Sequence, residues 1–139
     1  MGCFYKEIKL ESKERGVHLV TREVLEKTKE IKEFKKGLMT MFIKHTSASL
    51  CINENADSSV REDLYYYLNK IVPENDPNYL HTLEGPDDMP AHIKSVLTGA
   101  TVQIPIKEGR LSLGTWQGIY LCEHRNNPIG RKIIITINY

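Results

Sequence analysis

The segment over residues 131–138 constrains the fold most, because it carries an isoleucine at three alternate positions. Ile133, Ile135 and Ile137 recur at every second position, which is the period of a β-strand with one buried face. Ile134 lies between them, so the strand could also be buried on both faces. Burial on both faces would fit either an interface or a sandwich core. Two earlier segments are predicted to be strands as well: residues 101–106, and residues 111–123 with interruptions at Gly114 and Gly118.

The first hundred residues combine strand-like and helix-like segments. Residues 5–10 and 17–20 are predicted to form a β-hairpin, and residues 38–43 an apolar strand that delivers His45 at its end. Three helices are predicted: residues 23–34, residues 58–72 after a cap at Asp57 or Ser58, and residues 90–97 before Gly99. The second helix is expected to bury Val60, Leu64, Tyr67, Leu68 and Ile71. This order of elements favours an α+β fold with an antiparallel sheet or sandwich.

Length and charge exclude several classes of protein. A chain of 139 residues predicts one domain, over residues 1–139. The net charge of +1, without a basic stripe, argues against nucleic-acid binding. No apolar run reaches the roughly 20 residues that span a membrane, so no membrane partner is expected. Three cysteines without CxxC spacing indicate a reducing, cytoplasmic setting.

Residues 44–57 carry a dense group of polar side chains beside an apolar strand. Unpaired polar groups are costly to bury, so this density indicates a site. His45 begins the group, and His81 and His92 flank a later acidic turn. Three imidazoles could bind one divalent metal ion and leave a coordination position open for water or substrate. The alternative is that they are three unrelated surface histidines. Glu54 could act as a general base or orient an imidazole.

Further side chains suit a phosphorylated heterocyclic ligand. The hydroxyls of Thr46 and Ser47 could bind phosphate, or could make local turn hydrogen bonds. Trp116 and Gln117 could stack on a heterocycle and hydrogen-bond to it, although a core tryptophan is equally common. Three more residues could supply charge to such a ligand: Glu123, Arg125 and Arg131. The alternative is that they form a surface salt-bridge cluster.

Taken together, these separated segments resemble the YjbQ family over nearly the whole chain. The residues that carry the resemblance are His45-Thr46-Ser47-Ala48, Asn53-Glu54-Asn55 with Asp57, His81, residues 85–95, Ile104-Pro105-Ile106, residues 109–117, and Glu123. The resemblance implies an α+β fold: a two-layer, antiparallel β-sandwich with flanking helices, assembled as a homotrimer. It implies a site at a boundary between subunits that can hold a divalent metal ion, zinc or magnesium.

The implied activity is that of a secondary thiamine-phosphate synthase. Such an enzyme joins hydroxymethylpyrimidine diphosphate to thiazole phosphate and releases diphosphate. The resemblance places the site around His45, Glu54, His81, His92 and Glu123. Together with the residue chemistry above, it predicts catalysis by His45, Glu54 and Glu123, substrate contacts from Thr46, Ser47, Asn53, Trp116, Gln117 and Arg131, and metal ligation by His45, His81 and His92. A metal-dependent hydrolase and a non-catalytic metabolite-binding module stay open as alternatives.

Two departures from the family pattern concern charge. Many members have Asn where this chain has Asp88, so an extra carboxylate is expected near His81 and His92. Arg125 and Arg131 are both candidates for an arginine of the family's site. We favour Arg131, because it begins the last predicted strand.

Overall fold

The computed structural model describes residues 1–126 and 129–139. The strands are, in chain order, β1 (Cys3–Lys9), β2 (Gly16–Leu19), β3 (Lys36–Ile43), β4 (Ala48–Glu54), β5 (Thr101–Lys107), β6 (Arg110–Leu111), β7 (Gln117–Glu123) and β8 (Lys132–Asn138). The helices are α1 (Thr21–Lys27), α2 (Ser58–Ile71) and α3 (Asp88–Thr98), and a 3₁₀ turn covers Lys29–Glu33. None of these helices is long and apolar enough to cross a membrane within the described residues.

Two antiparallel sheets form the fold. One has five strands in the order β1-β8-β3-β5-β6, and the other has three in the order β2-β7-β4. The alternation in β8 is confirmed: Ile133, Ile135 and Ile137 are fully buried, whereas Ile134 on the other face is half-buried. These isoleucines share one core with Leu50 and side chains of β3, β5 and β7. The α+β class and the antiparallel sandwich are therefore as expected.

The connections between strands differ from the prediction in two places. The predicted hairpin of β1 and β2 is wrong, because β1 pairs with β8 and β2 pairs with β7. The single strand over residues 111–123 is also wrong. The chain turns after Leu113, where Gln117 N–H donates to the Gly114 oxygen at 3.0 Å, so β6 and β7 belong to different sheets. Alternation within a segment does not specify its partner strand, which is why both errors arose.

The helices lie against the three-stranded sheet, with α3 on β4 and α2 on β2. Asp57 caps α2 as predicted, since its side chain accepts from Ser59 N–H at 2.9 Å. The predicted buried stripe of α2 is wrong, because no residue of this helix is buried. Tyr67 and Ile71 are 57% and 62% exposed, since α2 contacts the sheet mainly at its β2 edge. The predicted first helix is interrupted at Thr28, where a 3₁₀ turn follows α1.

Candidate active site

The acidic turn before α3 places a carboxylate and a histidine on one face of this helix. Gly85 has a φ of 105°, a left-handed conformation that glycine adopts readily, and α3 then begins at Asp88. Asp88 and His92 are four residues apart, so their side chains are neighbours on the helix surface. His81, from the loop before the turn, joins them.

The side chains of His81, Asp88 and His92 converge on one point. The Nε2 atoms of His81 and His92 lie 2.6 Å and 3.1 Å from Asp88 Oδ2, and the three atoms lie within 4.8 Å of one another. Ligand atoms around a tetrahedral zinc ion, at bond lengths of about 2.0 Å, are separated by about 3.3 Å. The two nitrogen–oxygen separations are those of hydrogen bonds and are shorter than this, but the three atoms lie close enough together to be candidate ligands of one ion. We name them the His–Asp cluster.

The hydrogen bond of His92 to the backbone determines which of its ring nitrogens carries the proton. Its Nδ1 lies 2.9 Å from the Thr46 oxygen, which can only accept, so Nδ1 carries the proton. In the neutral ring, Nε2 then directs a lone pair at Asp88 Oδ2, which also carries lone pairs. Such a pair is stable only with a proton or a cation between the two atoms. Because metal-bound histidines commonly donate their other N–H to a carbonyl, the arrangement fits a metal ligand as well as an imidazolium.

Arg125 holds the carboxylates of the turn from the side opposite the histidines. Its guanidinium hydrogen-bonds to Asp88 Oδ1 and, through Nε at 3.0 Å, to Asp87 Oδ2. Burial alone would raise the pKa of Asp88, but the hydrogen bond from His81 and the charges of His92 and Arg125 bring this pKa below its usual value. Asp88 is therefore ionised at neutral pH, with Oδ2 directed to the histidines.

Arg131 forms a second buried group with Glu123 and Ser47. Its Nε donates to Glu123 Oε1 at 2.7 Å, its Nη2 donates to Glu123 Oε2, and its Nη1 donates to Ser47 Oγ at 3.1 Å. Glu123 and Arg131 are 1% and 2% exposed. Both charges are thus largely compensated, and the pair fixes the end of β7 against the start of β8. Arg125, with a side chain that is 20% exposed, is the more accessible of the two candidate arginines.

His45 lies beside this second group and outside the His–Asp cluster. Its Nε2 accepts from Lys132 N–H at 2.8 Å, so this nitrogen is already occupied. Burial, and then the nearby Arg131 charge, lower the pKa of His45. The ring is therefore neutral at physiological pH, and its proton is on Nδ1. In the described residues, Asp88 takes the place that the sequence analysis gave to His45.

One cleft of about 720 Å³ connects the two groups. Its lining includes residues from the His–Asp cluster, both arginines and the start of the 44–57 segment: His45, Thr46, Ser47, Asp88, His92, Arg125 and Arg131. Cations, hydroxyls and imidazoles thus face a volume within the range of small-molecule sites, about 300–1,000 Å³. The two arginines are the groups that suit an anionic ligand, and the lining also contains the carboxylates of Glu84 and Asp88.

Four predicted site residues lie at the other end of the three-stranded sheet. Glu54 pairs with Gln117 at the end of β4, six residues or about 20 Å along the strand from Ala48. The Glu54 carboxylate accepts from Ala56 and Asp57 N–H. The remaining three make local bonds or are exposed: Asn53 Oδ1 accepts from Glu54 N–H, Gln117 Oε1 accepts from Gly114 N–H, and Trp116 is 65% exposed. Within one chain these residues do not reach the cleft.

Two ionisable side chains are buried behind the cleft. His124 is 4% exposed, and its Nε2 lies 2.8 Å from Ser49 Oγ. Burial, and then the charge of Lys94, lower the pKa of His124 to about 3. Lys94 is 2% exposed and donates to Asn69 Oδ1 at 2.7 Å. Burial, and then the charge of Arg15, lower the pKa of Lys94 to about 8.

Sequence reasoning missed Asp88 as a central member of the cluster, although it noted the extra charge. The pattern that could have found it is the four-residue spacing of Asp88 and His92 at a helix start. No local sequence pattern predicts the salt bridge between Asp87 and Arg125, because these residues are 38 positions apart.

Comparison with known proteins agrees with the fold and covers nearly the whole chain. The sequence model of the family described as "UPF0047 protein YjbQ-like" matches residues 6–139. The chain belongs to the YjbQ/UPF0047 family. It is 45% identical over 134 residues to UPF0047 protein YjbQ of Escherichia coli O157:H7, with 96% of each chain covered. It is 40% identical to a UPF0047 protein of Methanocaldococcus jannaschii, with 96% of this chain and 92% of that one covered.

Solved structures share the architecture. The conserved hypothetical protein TT1486 from Thermus thermophilus superposes with a TM-score of 0.81 at 32% identity, and 94% of this chain and 97% of that chain are covered. A YbjQ-like protein of unknown function from Sulfolobus solfataricus gives a TM-score of 0.82 at 23% identity, with 98% and 96% covered. The latter likeness concerns the fold alone.

Proposed function

We propose that this YjbQ-family protein is a metal-assisted transferase with thiamine-phosphate synthase activity, which joins hydroxymethylpyrimidine diphosphate to thiazole phosphate. The observation that carries the proposal is the His–Asp cluster at the edge of a cleft that also contains two arginines. Diphosphate can leave only if its developing charge is neutralised, and the cleft concentrates groups suited to that task.

His81, Asp88 and His92 would hold the divalent ion. Two imidazoles and one carboxylate are donors typical of zinc, whereas magnesium prefers oxygen ligands alone, so we favour zinc. When bound, the ion supplies Lewis-acid stabilisation of phosphoryl oxygens. Arg125 is a positioning residue here, since it holds Asp88 Oδ1 and thereby directs Oδ2 toward the histidines.

The opposite wall of the cleft would bind the phosphate groups of the substrate. Ser47 Oγ and the exposed Thr46 hydroxyl are donors beside the cleft. Arg131 contributes positive charge, although Glu123 offsets most of it, so its main part would be to position Ser47. His45, neutral and protonated on Nδ1, would donate a hydrogen bond to a substrate oxygen.

We include a homotrimer in the proposal, because a neighbouring subunit would bury the exposed apolar side chains of α2. Tyr66, Tyr67 and Ile71 are each more than half exposed, and a group of exposed apolar side chains on one surface often marks an interaction site. A trimer would also bring Glu54 and Trp116 of one subunit toward the cleft of the next. Their predicted roles in catalysis and substrate binding depend on that assembly.

The test is thiamine phosphate formation by the purified protein from the two precursors, with and without a chelator. We expect chelator-sensitive turnover in the wild type and at least a 100-fold loss of kcat/KM in His92→Ala and His81→Ala. Elemental analysis is expected to find a divalent metal in the wild type and little in either variant. The matched control is His18→Ala, which removes a histidine of β2 that does not line the cleft.

Three results would contradict the proposal. Full metal content in both cluster variants would remove the ligand assignment. Turnover that is insensitive to chelator would remove the metal from the reaction. Release of phosphate or diphosphate from one precursor alone would favour the hydrolase alternative, because hydrolysis needs a single organic substrate.

A further inference from the structure

A second cavity lies away from the cleft, between the α1–3₁₀ segment and the β6 region. Its volume is about 340 Å³, and it shares no lining residue with the cleft. Apolar side chains form its walls: Leu25, Ile31, Leu111 and Leu113. We name it the α1–β6 cavity. Its volume is within the range of small-molecule sites, about 300–1,000 Å³.

A buried hydroxyl at the wall of the α1–β6 cavity has no partner among the described residues. Thr28 is fully buried and lines the cavity, and its Oγ1 makes no hydrogen bond there. A buried hydroxyl without a partner costs free energy. The neighbouring Thr21 differs, because its Oγ1 accepts from Ile119 N–H at 2.9 Å. Thr28 is thus a polar group behind the cavity wall whose hydrogen-bonding capacity is not used by another described residue.

Three cations surround the cavity without an acidic residue in its lining. Lys29, Lys32 and Arg110 are exposed and take part in no side-chain hydrogen bond or salt bridge with another described residue. An adjoining pocket of about 450 Å³ adds Arg22 and one carboxylate, Glu26. The sum of these charges stays positive, so the rim of an otherwise apolar cavity attracts an anion.

We propose that the α1–β6 cavity binds a small amphipathic carboxylate. The apolar body of the ligand packs against Ile31 and Leu111, and its carboxylate lies between Lys32 and Arg110. Apolar walls with a few placed polar groups are the usual composition of small-molecule sites. The site is independent of the proposed transferase activity, because it uses none of its residues.

The first experiment compares two isosteric probes, phenylbutyrate and its neutral amide, phenylbutyramide, by isothermal titration calorimetry on the full chain. We expect the carboxylate to bind with a Kd below about 1 mM and the amide at least about tenfold more weakly. A double variant, Lys32→Gln with Arg110→Gln, is expected to weaken carboxylate binding by at least about tenfold. The control Lys70→Gln, on the distant α2, leaves the Kd unchanged.

Equal affinity for acid and amide, absent binding of both, or an unchanged Kd in the double variant would each overturn the proposal. A second variant, Thr28→Val, tests the free hydroxyl. It keeps the shape of the side chain, so we expect a higher Tm in the ligand-free protein. A lower Tm would mean that the hydroxyl is already satisfied and is not available to a ligand.

Discussion

His124 is a side chain whose charge depends strongly on folding. In the unfolded chain its pKa is about 6.5, whereas in the folded protein burial, and then the positive charge of Lys94, lower it to about 3. Between these values the unfolded chain binds a proton that the folded protein does not. Stability therefore rises with pH across this window and falls as the solution is acidified below about 6.5.

We expect the variant His124→Gln to lose this pH dependence. In the wild type the free energy of unfolding would fall by up to about 1.4 kcal/mol for each pH unit below 6.5, and the slope in the variant would be smaller by that amount. Urea denaturation from pH 6.5 to 5 measures both slopes, before most carboxylates titrate. Measurements at pH 7.5, where the ring is neutral in both states, provide the reference. Parallel slopes would show that the ring is protonated in the fold.

The site was only partly predictable from its residues. His92 and His81 were proposed because polar residues in loops and at element ends often serve function. Asp88 and Arg125 come together through the tertiary fold, and no local pattern records a partnership across 37 residues. The same limit applies to Glu54, which has the composition of a catalytic base but bonds to the backbone two and three residues later.

The turn between β5 and β6 shows how a short element depends on one residue type. Glu108 and Gly109 have φ values of 50° and 71°, and two such residues in succession are the mark of a tight hairpin turn. The residues Glu108-Gly109, between two predicted strands, indicate a tight turn from the sequence alone, and the structure confirms it. Its contact with the 3₁₀ segment was not predictable: a Cβ at Gly109 would lie 2.7 Å from the Lys32 backbone oxygen.

A left-handed conformation costs a residue with a Cβ about 1–2 kcal/mol. We expect Gly109→Ala to lower the free energy of unfolding by more than this. The close approach to a backbone oxygen, which cannot move aside as a side chain can, adds to this cost. The matched control is Gly114→Ala, where the new Cβ would meet only the flexible Gln117 side chain at 3.2 Å. Equilibrium unfolding in urea measures both, and equal effects would disprove the account.

The molecule as a whole depends on the inner face of β8. Ile135 is fully buried between the sheets, whereas Ile134, on the same strand, is half-buried on the opposite face. The sequence predicted the alternation because its period is local. It could not predict that β8 lies between β1 and β3, since pairing partners are chosen by the complete sandwich.

Truncation of these two isoleucines is expected to have unequal effects. Ile135→Ala would lower the free energy of unfolding by about 2–5 kcal/mol, through lost burial and the cavity that remains. Ile134→Ala would cost less than half as much in the isolated chain. Urea titration at a protein concentration low enough to keep the protein monomeric makes the comparison. A reversed order would mean that the outer face of β8 is the better packed one.

The position of β8 also determines when the protein can form during its synthesis. β1, which precedes the other described strands in the chain, has no partner among them except β8. One side of β3 also pairs with β8. Until residue 138 has left the ribosome, two strands therefore present unpaired edges, which are the surfaces through which nascent chains associate wrongly. The emerging chain would need to remain unfolded or be protected by a chaperone until β8 inserts between them.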